Sequence, residues 1–338
     1  MKTAVFSAHQ FEREYLETAN AGRHELVFLD ARLSEDTCPL SAGCRAVSLF
    51  VTDKAGATVL PRLREMGVEF IALRSAGFNH VDLKSAHQYK MRVARVAAYS
   101  PHAVAEHAVA MMLALNRQLI RAHQRVMDLN FSLDGLVGFD MNGKTAGIIG
   151  SGKIGAVVAK ILHGFGCRLL AYDPAPDPKL VQKYGVTYTS LDELCQTADI
   201  ITLHVPLRKE TKYLIDKKRI AQMKPGVMLI NTSRGGLVKT KDVIDALKRR
   251  QIGSVGLDVY EEEEGIFFED LSEEVLLDDT IARLLTFKNV LITAHQAFLT
   301  DTALENIAAT TIENLNCFEE SEPCKNEILP ESNKVEKV

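Results

Sequence analysis

One hexapeptide constrains this chain more than any other. Gly150-Ser151-Gly152-Lys153-Ile154-Gly155 lies between an apolar run, TAGII, and an amphipathic stretch from Ile154 to Phe165. A strand that turns on spaced glycines and leaves directly as a helix brings its backbone close to whatever binds there. Gly150 permits the tight turn, Gly152 lets a pyrophosphate approach the backbone, and Gly155 lets helix pack closely on strand. Lys153 and Ile154 stand at the mouth of that helix, where amide hydrogens and a partial positive charge face an anion. The next apolar run, RLLAYD, ends in Asp173. An acid there accepts hydrogen bonds from ribose hydroxyls and repels a 2′-phosphate, which selects NAD over NADP. A plain glycine turn with a capping Asp is the alternative. Strand, glycines, helix and acid together favour the dinucleotide.

The rest of the chain carries the same rhythm. TAVFS, HELVFLD, AVSLFV and EFIALRS read as strands, with helical segments from Gln10 to Ala19 and Gly56 to Met66 between them. The pattern restarts at Thr145 with TAGIIG, CRLLAYD, ADIITLHV, VMLINTS, SVGLDVY and NVLITAH. Alternating strands and helices imply parallel sheets covered on both faces, and 338 residues suit two such units. The expected fold is therefore α/β, with two doubly wound parallel-sheet domains. The join falls near YSPHAVAEHAVAMMLALNRQL, where Pro101 ends a strand and Ala103 to Leu119 form one long apolar helix. Residues Asn130 to Asn142 lack periodicity and read as an arm or loop, and the polar tail from Glu319 should be loose at its end.

Composition narrows the function. A net charge of -4 offers nothing to nucleic acid or to an anionic membrane. No apolar stretch approaches the length of a membrane span, and the opening MKTAVFSAHQFEREYL is broken by charges too early for a signal peptide. Cys38, Cys44, Cys167, Cys195, Cys317 and Cys324 show neither a CxxC pair nor zinc spacing. They are expected to be free thiols in a cytoplasmic protein, with no metal site.

Three ionisable positions follow three further strand ends. Arg234 comes after VMLINTS, Asp258 and the run Glu261 to Glu264 after SVGL, and His295 after NVLITA. Singly, each has an ordinary reading: a surface Arg, a solvated acidic loop, a structural His. Jointly, at the carboxyl ends of strands beside a dinucleotide motif, they suit the reduction of a keto acid. Arg234 can grip a carboxylate or carbonyl oxygen and stays charged. His295 can pass a proton near neutral pH. A neighbouring carboxylate would hold that imidazole and favour its charged form. Val205 and Pro206, in His204-Val205-Pro206-Leu207, end the strand ADIITL and could cover adenine or ribose. Pro206 could equally be a simple strand terminator.

At these blocks the sequence resembles the D-isomer-specific 2-hydroxyacid dehydrogenases over essentially its full length. The matching motifs are GSGKIG with Asp173, NTSRGG, GLDVYEEE and TAHQAF. It is most similar to the fermentative D-lactate dehydrogenases of that family, through AVFSAHQFEREYL, LRSAGFNHVD, YSPHAVAEHA, NFSLDGLVGFDMNGKTAGIIGSGKIG and EGIFFEDLSEEVLLDD. The resemblance implies a catalytic triad of Arg234, Glu263 and His295, with Glu263 chosen as the fifth residue after Asp258. It places Asp258 at the nicotinamide end and Thr211, Thr232 and Ser233 against the cofactor. It assigns the amides of Ala76 and Gly77 to the substrate carboxylate, and Tyr99 and Phe298 to a wall around a methyl-sized pocket.

The same resemblance implies the topology: a Rossmann cofactor domain, 101–297, inserted into a flavodoxin-like substrate domain, 1–100 with 298–338. Hinges are expected near Tyr99 to His102 and Gln296 to Leu299. The long helix and the arm are expected to form a homodimer contact, with dimers of dimers left open. The expected reaction is reduction of pyruvate to D-lactate with NADH. The handedness of the product comes from the resemblance alone. Other small substrates, such as glyoxylate, hydroxypyruvate or phenylpyruvate, remain open, as does an NAD-sensing regulatory role.

Overall fold

The computed structural model describes residues 1–329. The tail past Pro330, expected to be loose, lies outside them. The described residues divide into two units: Met1–Ser100 with 299–329, and Pro101–Phe298. Phe298 groups with the second unit, one residue from the expected boundary, because it directly follows a buried Ala297 whose amide is held there.

The first unit is a five-stranded parallel sheet. Its strands are β1 (Lys2–Val5), β2 (Glu25–Phe28), β3 (Ala46–Leu49), β4 (Phe70–Leu73) and β5 (Arg92–Ala94), in the order β2-β1-β3-β4-β5. This is the flavodoxin-like order. Side chains alternate between two cores, as the two-residue period of a strand demands. Val47, Leu49, Ile71 and Leu73 face one core, while Ala46, Phe70 and Ala72 face the other. The last helix, Asp301–Glu319, covers that second face through Ile312, Leu315 and Phe318, with the Phe318 ring stacked 4.7 Å from Phe70. The final segment is thus an integral layer of the unit that begins the chain. β5 ends at Ala94, so the strand expected to run to Pro101 stops short, and residues 95–100 cross over without strand structure.

Seven parallel strands build the second unit: β6 (Thr145–Ile149), β7 (Arg168–Tyr172), β8 (Thr187–Tyr188), β9 (Ile200–Leu203), β10 (Val227–Asn231), β11 (Ile252–Leu257) and β12 (Val290–Ile292). Their order, β12-β11-β10-β9-β6-β7-β8, reverses direction at β6 and β9. That switch point is where ligands of open α/β sheets bind, outside the carboxyl ends of the strands. Leu229, Ile201 and Ile149 face one core, and Met228, Ile230 and Ile148 the other.

The long helix expected from Ala103 to Leu119 is two helices, Pro101–Asn116 and Leu119–Met127. Gln118 between them has a left-handed backbone, φ +49°, which ends the first helix. The second helix has no buried residue. Among the described residues, no helix is long and apolar enough to cross a membrane. All six cysteines are free thiols.

Candidate active site

The glycine turn leaves β6 as the sequence requires. Gly150 has φ +94°, and a Cβ there would lie 2.6 Å from the carbonyl oxygen of His204. A Cβ on Gly155 would fall 2.0 Å from the Gly150 carbonyl oxygen. Neither position tolerates a side chain. Gly152 caps the helix Lys153–Gly164, whose first amides open onto the switch point. Asp173, just after β7, reaches back across the turn. Its Oδ2 accepts the Ser151 N–H at 2.7 Å and the Ser151 hydroxyl at 3.1 Å, and its Oδ1 accepts the Ala175 N–H at 2.8 Å. The Tyr188 hydroxyl donates to Ser151 Oγ at 2.9 Å.

The β9 exit carries His204, Val205 and Pro206. Val205 is half-buried against the core and Pro206 is exposed. Burial pushes the His204 imidazole down to about 3, so it is neutral. Thr211 braces this loop: its hydroxyl donates to the Pro206 carbonyl at 2.7 Å and accepts the Arg208 N–H at 2.8 Å.

At the β10 exit, Asn231 shapes the turn that presents Arg234. Its Oδ1 accepts the Ser233 N–H at 3.1 Å, and its Nδ2 donates to the Arg234 carbonyl at 2.9 Å. The Ser233 hydroxyl ties the turn to β9 through the Leu203 carbonyl at 2.8 Å. Gly235 follows because a Cβ would lie 2.1 Å from the Tyr260 carbonyl, so the β10 and β11 exits touch backbone to backbone. The Thr232 hydroxyl is buried without a hydrogen-bond partner. An orphaned polar atom of this kind costs roughly 1–3 kcal/mol and fits a group that arrives with its own polar atoms. Together with the side-chain-free cradle at Gly150 and Gly155, these residues fit a dinucleotide.

The β11 and β12 exits bring the acid and the imidazole together. His295 Nδ1 lies 3.0 Å from Glu263 Oε1, and the Glu263 Oε2 accepts the Tyr260 N–H at 3.0 Å. Of the four successive glutamates it is Glu263 that meets His295; Glu262 and Glu264 are exposed, and Glu261 is half-buried with Oε2 left without a hydrogen-bond partner among the described residues. The Phe268 ring lies 5.9 Å from the imidazole. Asp258 is fully buried and accepts from the Thr293 hydroxyl at 2.6 Å and from the amides of Gln296 and Ala297 at 2.9 and 3.0 Å.

Ala76, Gly77 and Tyr99 belong to the first unit, and Phe298 to the second. The Ala76 carbonyl accepts from Arg95 Nη1 at 3.1 Å and the Gly77 carbonyl from the Ser75 hydroxyl at 2.7 Å. Beneath that loop, Arg74 is buried in a bidentate pair with Glu12, at 2.9 and 3.0 Å. Among the described residues, no group of three or more His, Cys, Asp or Glu side chains is placed to hold a metal.

Several residues of this region have parts that the sequence did not assign to them, though most lie inside the motifs quoted above. Asn231, Ser151, Tyr188 and Thr293 act through hydrogen bonds to backbone or to other side chains, and His107 enters from a helix far away in the chain. Only the strand-end position of Asn231 and Thr293 hinted at a role.

Comparison with known proteins places this arrangement. Residues 109–297 match the family model for the NAD binding domain of D-isomer specific 2-hydroxyacid dehydrogenases. The chain is 50% identical to D-lactate dehydrogenase of Escherichia coli over 97% of its own length and 100% of the relative's. A solved structure identified as the pyruvate reductase of Chlamydomonas reinhardtii superposes with a TM-score of 0.91 at 44% identity, covering 96% of this chain and 98% of that one. D-lactate dehydrogenase with NAD+ from Lactobacillus jensenii superposes with a TM-score of 0.81 at 33% identity, covering 97% and 100%. With its glycine cradle at the β6–β9 switch point, the chain belongs to the D-isomer specific 2-hydroxyacid dehydrogenases, NAD-dependent oxidoreductases, and its second unit is their NAD binding domain.

Proposed function

We propose that this enzyme reduces pyruvate to D-lactate with NADH, and that Arg234, Glu263 and His295 are its catalytic residues. The observation that carries the reading is the 3.0 Å pair between His295 Nδ1 and Glu263 Oε1. With Nδ1 turned to the carboxylate, Nε2 is the nitrogen that gives its proton to the developing alkoxide. Bound NADH supplies the hydride. Arg234 holds the carboxylate and polarises the carbonyl oxygen of the keto acid. The amides of Ala76 and Gly77, which have no partner among the described residues, are assigned to the substrate carboxylate. Tyr99 and Phe298 limit the pocket to a small side chain.

Gly150, Gly152, Lys153, Ile154 and Gly155 hold the pyrophosphate, and Asp173 the adenosine ribose. Val205 and Pro206 cover the adenosine, Thr211, Thr232 and Ser233 line the rest of the cofactor, and Asp258 borders its nicotinamide end. The names of the Escherichia coli and Chlamydomonas reinhardtii relatives support the substrate. Six unbridged thiols suit a reducing cytoplasm. Exposed Leu119, Ile120, Met127, Leu129, Phe131 and Leu133 fit the contact of a homodimer.

The test is NADH oxidation by the purified protein with pyruvate and with phenylpyruvate, and the chirality of the product. The reading expects a higher kcat/KM for pyruvate, a D product, and a relaxed preference in Tyr99→Ala. A preference for phenylpyruvate in the unaltered enzyme contradicts it.

A further inference from the structure

His295 carries its imidazole on a strained backbone. Its φ is +53°, in the left-handed region that costs an ordinary residue of order 1–2 kcal/mol. Such a conformation persists only where the surroundings over-determine it; the His295 N–H also lies 3.1 Å from the Thr293 carbonyl, and Asp258 supplies the other backbone contacts. The His295 N–H donates to the Asp258 carbonyl at 2.7 Å, and the next two amides, of Gln296 and Ala297, donate to the Asp258 carboxylate. Asp258 thus grips three successive amides that begin at His295.

That carboxylate has one further donor. The Thr293 hydroxyl, two residues before His295, gives its proton to Asp258 Oδ1 at 2.6 Å. With its only proton so used, Thr293 Oγ1 can meet a third group only as an acceptor. His107 Nε2 lies 3.1 Å from it and 3.5 Å from Asp258 Oδ1. The arrangement fixes a direction: Nε2–H of His107 to the Thr293 oxygen, and the Thr293 proton to Asp258. His107 itself stands on a rigid platform. It shares a face of the helix Pro101–Asn116 with Met111 and Leu115, four and eight residues on. A Cβ on Gly256 of β11 would lie 3.4 Å from the Met111 side chain and 3.2 Å from that of Leu115, so helix and strand pack closely.

We infer that His107 and Thr293 are positioning residues for proton delivery: together they orient Asp258, which holds the His295 backbone in its left-handed conformation. The inference rests on the assignment of His295 as proton donor. His107 touches neither Glu263 nor the imidazole of His295. It sets where the Thr293 proton points, and through it the carboxylate that clamps the His295 segment. Loosening that clamp leaves the glycine cradle and Asp173, which carry most of the cofactor's binding, in place and spoils the alignment at the reacting atom, where small displacements are expensive.

The test compares steady-state kinetics, NADH affinity by fluorescence titration and thermal melting for Thr293→Val, Thr293→Ser, His107→Leu, His107→Gln and the double variant His107→Leu/Thr293→Val. The expected result is a fall in kcat for pyruvate of about tenfold in Thr293→Val and in His107→Leu, with KM for pyruvate, NADH affinity and Tm little changed. Thr293→Ser and His107→Gln, which keep a hydroxyl and a donor, should recover most of the rate. The double variant should be no slower than either single one, because one chain of hydrogen bonds is broken once. If His107→Leu does not fold, the Thr293→Val and Thr293→Ser pair decides alone. The inference is overturned by a kcat in Thr293→Val equal to that of the unaltered enzyme, by no recovery in Thr293→Ser, or by strictly multiplicative losses in the double variant. His295→Gln separates the two levels: if it is inactive while Thr293→Val is fully active, only the positioning role falls. If His295→Gln keeps its rate, the proton-donor assignment falls first.

Discussion

Both oxygens of Glu263 are engaged at once: Oε1 lies 3.0 Å from Nδ1 of His295, and Oε2 accepts the N–H of Tyr260, three residues back, at 3.0 Å. The second bond anchors the carboxylate to its own chain, so it presents one oxygen to the imidazole from a fixed place. Glu263→Gln keeps the shape and removes the charge. Its amide must also turn an NH2 group toward either the Tyr260 N–H or the imidazole. The expected result is a loss in kcat/KM for pyruvate of about 10- to 100-fold, or roughly 1.4–2.7 kcal/mol, with NADH affinity unchanged. Glu262→Gln, at the exposed neighbour, is the control and should behave as the unaltered enzyme. Equal losses in the two variants would contradict the assignment.

Asp173 does two things at the glycine turn. It holds the amides of Ser151 and Ala175, and in the proposed reading it sets negative charge against a 2′-phosphate. Asp173→Ala should weaken NADH binding and narrow the preference for NADH over NADPH by at least about tenfold. Competitive titration of both cofactors checks this. An unchanged ratio would remove Asp173 from the recognition of the ribose.

Gly235 separates two backbones that nearly touch. The Cβ of Gly235→Ala would lie 2.1 Å from the Tyr260 carbonyl, whereas that of Gly236→Ala meets only the end of the Leu207 side chain at 3.1 Å. Backbone cannot yield as a leucine can. Gly235→Ala should cost about 1–3 kcal/mol in stability and displace Arg234, with a fall in kcat/KM well beyond that of Gly236→Ala. Melting curves and pyruvate kinetics on the two variants decide it.

His204 makes stability depend on pH. Burial keeps its imidazole neutral down to about 3 in the folded chain, while the unfolded chain takes a proton near 6.5. The unfolded state then binds more protons between these values, so this contribution is complete above about 6.5 and is lost as pH falls toward 3, at roughly 1.4 kcal/mol per pH unit. Urea unfolding of the unaltered protein and of His204→Asn should show a stability gap at pH 7.5 that shrinks by about 1 kcal/mol at pH 5.5. A gap that stays constant would mean that His204 takes up its proton equally readily in the folded and unfolded states.

What was legible in the sequence followed from local causes. The glycine turn could be read because Gly150 and Gly155 answer to backbone atoms within a few residues or at the neighbouring strand end. Strand–helix alternation gave the two sheets, whereas the choice of Glu263 among four glutamates came from the family resemblance and not from the residues themselves. What could not be read depends on distant partners or on backbone conformation. Gln118 carries no helix-breaking chemistry of its own, yet its left-handed backbone splits the expected long helix. β8 is two residues long and has too little pattern to register. Asp258, assigned to the nicotinamide end of the cofactor, also clamps a segment 35 to 39 residues further on, with His107 reaching Thr293 across 186 residues of chain. No periodicity encodes such pairs.

If His295 carries the proton, the two directions of the reaction must respond to pH in opposite senses. Reduction of pyruvate needs the imidazole protonated and oxidation of D-lactate needs it deprotonated. The measurement is kcat/KM against pH in both directions, for the unaltered enzyme and for His295→Gln. Pyruvate reduction should fall as pH rises and D-lactate oxidation should fall as pH drops, with both limbs set by the same ionisation. In His295→Gln both limbs should vanish, with little rate at any pH and NADH still bound. Limbs that persist in His295→Gln, or a rate close to that of the unaltered enzyme, would contradict it.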